Sequence, residues 1–212
     1  MADNGTGAQE YHEETKHSPQ SVRNSSHSLN FDNKPIPFKI YEDTPKQSLA
    51  REIRPSQIPA LRAIADRTES DGVVVPSLED ITQLCYYSSG ITKKIRRGQR
   101  EILFRAASCT GALYHIDLYL VCGNLEGLDP GVYHFDPKTL SLDVLREGDY
   151  RGVLAEASGN EESVRKAPIT FVATSTWWRN SWKYRERTYR HSFWDSGTVL
   201  ANFLAVANSL DL

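Results

Sequence analysis

The stretch FRAASCTGALYHIDLYLVCG (104–123) constrains this chain more than any other. It opens with small residues, Ala106, Ala107, Ser108, Cys109 and Thr110, closed by Gly111. There, backbone amides can come close to a planar or anionic ligand. The following residues alternate and favour β-structure, predicting a strand through Leu118, Tyr119, Leu120, Val121 and Cys122. Arg105 adds a charged fork suited to phosphate or to an electron-rich ring edge. On residue physics alone, a tight loop entering a strand accounts for the same run, and both readings stand.

The flanking sequence supplies helices and a hairpin. Ser77 can cap a helix with Asp80 reaching back, placing Leu78, Ile81, Leu84 and Cys85 on one face and ending near Ser88, Ser89 and Gly90. TKKIRRGQR (92–100) reads as a basic, polar loop, either a solvated surface or a phosphate-facing segment. GLDPGVYHFDPKTLSLDVL (127–145) reads as a hairpin, with turn chemistry at Pro130-Gly131 and Asp136-Pro137. Glu147-Gly148-Asp149-Tyr150 is expected to start another helix, and Ile169 to Thr174 reads as a short buried strand. From about Tyr189 to Leu210, Val199, Leu200, Phe203, Leu204, Val206 and Ala207 recur at helical spacing. A helix so apolar belongs at the centre of the fold or at a subunit interface. Helices among a mainly antiparallel sheet give an α+β class.

Residues 1–28 are rich in Glu, Ser, Asn, Gln and His, which predicts a disordered tail ahead of one domain over 29–212. NFDNKPIPFKIY (30–41) reads as an extended arm with apolar anchors. A formal net charge of −2 points to neither nucleic acid nor a membrane surface. Neither a spanning apolar run nor a secretory h-region is present, so a cytoplasmic protein is expected. Cys85, Cys109 and Cys122 read as reduced thiols, and histidine and cysteine spacing suggests no metal site.

A second constellation is WKYRERTYRH (182–191), in which a lysine, two tyrosines, three arginines and a histidine crowd together. Interface packing explains it as well as a pocket does. If it lines a pocket, Lys183 and Tyr184 could share a proton, because a neighbouring ammonium favours tyrosinate.

Taken in order, FRAASCTGALYHIDLYLV, GLDPGVYHFDP, LREGDYR and APITFVATSTWWRNSWKYRERTYRHSFWDSGTVLANFLAVA resemble the SagB/ThcOx-type dehydrogenases of the nitroreductase superfamily. The resemblance runs from about Asn30 to Leu212. It implies a nitroreductase-like fold with the long helix central at a homodimer interface, FMN bound there, and hydride transfer from a peptide-borne or small heterocyclic substrate. It assigns cofactor contacts to Arg105, Ser108, Cys109, Thr110 and Gly111, and the role of general base to Lys183 and Tyr184. Members often read R-x-x-P-S-x-G-A-L-Y-P. Here Ser108-Cys109 replaces Pro-Ser and His115 replaces the last Pro. Cys109 is then either a hydrogen-bonding stand-in for serine or merely small enough to fit, and the second is preferred. The early R-R-S-x-R phosphate motif is not evident over 65–71, where Arg67 is a poor match. The family continues past the long helix, so the resemblance implies a domain incomplete at its C-terminus. Two alternatives follow: a non-catalytic, nitroreductase-like binding or scaffold protein, or a general NAD(P)H-dependent nitroreductase.

Overall fold

The computed structural model describes residues 6–66, 74–98 and 100–212. The chain begins with helices α1 (Thr6–Thr15) and α2 (Pro19–Arg23), then an irregular arm leads to strand β1 (Lys46–Ser48). Helices α3 (Ala60–Ala65) and α4 (Leu78–Ser89) follow, then a ribbon of β2 (Ile91–Arg97) and β3 (Arg100–Arg105). Next come β4 (Ile116–Cys122), β5 (Gly131–Asp136) and β6 (Ser141–Glu147). Helices α5 (Arg151–Ala157) and α6 (Glu162–Lys166) lead to β7 (Ile169–Ser175), α7 (Trp177–Tyr184) and α8 (Thr188–Ser209).

Five strands form one sheet in the order β1-β6-β5-β4-β7, every neighbouring pair antiparallel. The chain is α+β, as expected. β4 lies inside the sheet, so its two ladders satisfy its backbone and its side chains are covered on both faces. Leu118, Leu120 and Cys122 face a core completed by Tyr133, Phe135, Leu142 and, from α4, Ile81 and Cys85. Fully burying each large aliphatic side chain there stabilises by about 1.5–3 kcal/mol.

The predicted cap of α4 is present in full. The Ser77 hydroxyl accepts from the Asp80 amide, and the Asp80 carboxylate accepts from the Ser77 amide. Gly90 ends the helix, and its carbonyl accepts from the Ala106 amide at 2.9 Å, bringing the small-residue run alongside. The β5–β6 hairpin turns where the Asp136 carboxylate accepts from the Lys138 amide and the Thr139 hydroxyl.

Several segments differ from the sequence reading. Residues 6–15 and 19–23 of the expected tail form α1 and α2, with α1 held by side-chain contacts to residues far along the chain and α2 closed by its own Ser18–Ser21 capping box. The Tyr11 hydroxyl donates to the Glu186 carbonyl at 2.9 Å, and the Arg190 guanidinium donates to the hydroxyl of buried Thr15 at 2.8 Å. The expected basic loop is the β2–β3 ribbon, in which Ile95 pairs with Ile102 while Lys93, Lys94, Arg96 and Arg97 stay exposed. Strand β7 is half-buried, since it is a sheet edge. Helix α8 packs on α3 and α4 and buries Thr188, His191 and Asp195, leaving Phe193, Trp194, Leu200 and Leu204 more than half exposed. Residues 67–71, most of the segment where the early phosphate motif would fall, lie outside the described residues.

Candidate active site

The loop between β3 and β4 is shaped from two sides. From α8, the Asp195 carboxylate accepts from the Cys109 thiol at 3.0 Å, the Thr110 amide at 3.0 Å and the Thr110 hydroxyl at 2.8 Å. Its Oδ2 also accepts from Nε2 of buried His115 at 2.9 Å. Burial alone would make this carboxyl a weaker acid, but the bonds from His115, Cys109 and Thr110 outweigh burial and hold its pKa below 3.8. The Cys109 thiol is pushed up to about 12, by burial first and then by its bond to Asp195.

From α7, the Arg179 guanidinium donates to the Tyr114 carbonyl at 2.8 Å and to buried Asp117 at 2.9 Å. Asp117 also accepts from the Thr176 hydroxyl at 2.6 Å. This paired, hydrogen-bonded ion pair ties the end of the loop to the helix that carries Lys183 and Tyr184.

Gly111 is the point where the two sequence motifs meet. Its φ is +66°, a backbone conformation that glycine adopts without penalty. A Cβ added there would lie 2.5 Å from the Tyr184 hydroxyl. The Tyr184 ring stacks edge-on against His191 with centroids 4.7 Å apart, and the Lys183 ammonium stands over the Tyr184 ring at 5.2 Å. Behind them, Oδ1 of fully buried Asn180 lies 2.9 Å from His191 Nδ1 and accepts from the Thr188 hydroxyl. Burial, then the Arg187 charge, lowers the His191 pKa, which favours the neutral ring beneath Tyr184.

Next to the loop is a cavity of about 350 Å³ lined by Phe38, Arg105, Gly111, Leu113, Tyr114 and Arg179 among others. The Arg105 guanidinium is buried, donates to the Pro37 carbonyl at 2.9 Å and lies over the rings of Phe38 and Tyr114. Burial brings its pKa down to about 10.

No family model matches the chain. It is 24% identical over 136 residues to a Methanocaldococcus jannaschii protein that carries a nitroreductase name, covering 64% of this chain and 65% of the relative. A structure named as a nitroreductase from Anabaena variabilis superposes with a TM-score of 0.72 at 26% identity, over 92% of this chain but 37% of its own. Another from Ralstonia eutropha gives 0.59 at 19% identity, covering 78% of this chain and 72% of that one. The chain has a nitroreductase-like fold. The archaeal relative and the Anabaena structure, both named as nitroreductases, point to the nitroreductase superfamily. The Escherichia coli microcin synthetase complex McbBCD, solved with truncated pro-MccB17 bound, superposes at 0.56 and 19% identity over 97% of this chain and 78% of that one. The chain thus spans less than two thirds of both the archaeal relative and the Anabaena protein.

Within this nitroreductase-like fold, Gly111, Lys183 and Tyr184 are brought together and Ser108 is exposed on the same loop. Cys109 and Thr110 turn inward to Asp195, while Arg105 forms part of the cavity wall. Cys109 accepts from the Tyr114 amide at 3.1 Å as well as donating to Asp195, so it does more than fill space. Asp195, Asp117 and Arg179 are missing from the sequence reading. A lone carboxylate inside an apolar helix and another inside an apolar strand were the available signals, because such groups are seldom buried unpaired. Gly111→Ala is expected to destabilise the fold by about 1 kcal/mol or more, from the positive φ. It should also push the Tyr184 ring aside, which a denaturation midpoint and a structure of the variant would read together.

Proposed function

We propose that this chain belongs to an FMN-dependent oxidoreductase of the SagB type, which oxidises a peptide-borne or small heterocyclic substrate by proton abstraction coupled to hydride transfer. The observation that carries this reading is the meeting of Gly111 with Tyr184, which joins the small-residue loop to the Lys183–Tyr184 pair. A ligand-sized cavity with apolar ring walls and two guanidinium groups suits a planar, electron-rich cofactor. Gly111 would line the approach, Phe38 and Tyr114 would flank the ring, and Arg105 would supply positive charge. FMN, when bound, supplies the hydride acceptor.

The protein's own part is to place the base. Asn180 and His191 support the ring of Tyr184, and Lys183 sets a positive charge over it, so that as tyrosinate its oxygen would accept a substrate proton beside the loop. The likeness to a synthetase complex solved with a peptide favours a peptide-borne substrate. The exposed face of α8, with Phe193, Trp194, Leu200 and Leu204, is the surface we assign to a homodimer. No helix among the described residues is long and apolar enough to cross a membrane.

Incubating the purified chain with FMN and then removing free flavin is expected to leave a yellow protein with a perturbed flavin spectrum. A colourless protein after reconstitution would overturn the flavin reading and favour a scaffold role. If flavin is retained, a general nitroreductase would use Lys183 and Tyr184 for no proton transfer, and their replacement would leave turnover unchanged.

A further inference from the structure

We propose that Cys109, His115 and Asp195 form a binding site for one thiophilic divalent cation of the zinc class. These residues offer a sulfur, an imidazole nitrogen and a carboxylate oxygen that all lie within 4.8 Å of one another. That is the mixed donor set zinc takes at about 2.0–2.3 Å. The thiol and the imidazole nitrogen each sit at hydrogen-bond spacing from the Asp195 carboxylate, and those two separations would open by roughly half an ångström to admit an ion at such distances.

Three further features favour a cation over a purely hydrogen-bonded knot. The other ring nitrogen of His115 lies 2.8 Å from the Ser175 hydroxyl, the outer contact that fixes a ligating imidazole. A void of about 10 Å³ adjoins the cluster, lined by Cys109, Asp195, Ser88 and Ser89, and it offers room for about one water as a fourth ligand. Ser89 on its wall is 3% exposed, and its hydroxyl has no hydrogen-bond partner among the described residues, so a metal-bound water would satisfy it.

Charge and proton accounting are consistent. Entry of the ion releases the proton that Cys109 now shares with Asp195, because a coordinating thiol is deprotonated. The His115 proton moves to Nδ1, facing Ser175. Thiolate and carboxylate then neutralise the divalent charge, so no net charge is buried. The motif arises from this chain's own substitutions, since Cys109 and His115 are both departures from the pattern the loop resembles.

The test is a titration of the chelator-treated, reduced chain with Co²⁺. One equivalent should bind, with a thiolate-to-cobalt charge-transfer band. Cys109→Ser keeps a donor toward Asp195 and an acceptor for the Tyr114 amide, and should abolish the band in a folded protein. Ser175→Ala should weaken binding about 10–100-fold with the band intact. No band in the unmodified chain, or a band that survives Cys109→Ser, would overturn the site. Should that variant fail to fold, X-ray absorption of the zinc-loaded unmodified chain decides. One sulfur with nitrogen and oxygen neighbours supports the proposal, and a shell without sulfur overturns it.

Discussion

Tyr184→Phe is expected to lower substrate oxidation about 10²–10⁴-fold while leaving flavin in place, the usual contribution of a positioned proton acceptor. The phenylalanine ring can keep the edge-on stack against His191 and the Lys183 ammonium over its face, so the variant subtracts an oxygen and little packing. Lys183→Ala removes the charge and keeps the hydroxyl. If the two act as one unit, the double variant should be no slower than the more damaged single variant. Retained flavin absorbance alongside lost turnover is the expected signature. Full turnover in Tyr184→Phe would dismiss the pair as the base and leave the nitroreductase reading in possession.

The second large effect is on stability. Asp195→Ala, measured by denaturant unfolding of chelator-treated protein, should cost about 3–5 kcal/mol. The carboxylate accepts from His115, Cys109 and both the amide and hydroxyl of Thr110, and all lose their partner at a site water scarcely reaches. Asp195→Asn keeps the shape but turns an amide N–H₂ toward at least one of those donors, so it should recover only part of the loss. A cost below about 1 kcal/mol for the alanine variant would show that the loop holds its form without α8.

What the sequence revealed follows from which signals are local. The cap at Ser77 and Asp80, the β5–β6 hairpin, β4 and the extent of α8 rest on spacing within a few residues, and each could be read. The ribbon over 91–105 was missed because its exposed lysines and arginines hide the Ile95–Ile102 pair. The helix over 6–15 was missed because Tyr11 and Thr15 are held by Arg190 and Glu186, far along the chain. The site divides the same way. Gly111 and Tyr184 each stand out within their own motif, yet their contact joins residues from two distant motifs. Cys109 looked like a packing choice until Asp195, 86 positions away, supplied its partner.

That separation also sets an order of events during synthesis. The Thr110 amide has its carboxylate partner 85 residues downstream, so when the loop leaves the ribosome its inner wall does not yet exist. Domains assemble as their segments emerge, and contacts of high sequence separation close late. The sheet from β4 to β6 can form early as a meander of neighbouring strands. The loop that marks the candidate site can take its shape only once α8 has docked, which makes a finished surface at Gly111 a sign that the described fold has closed.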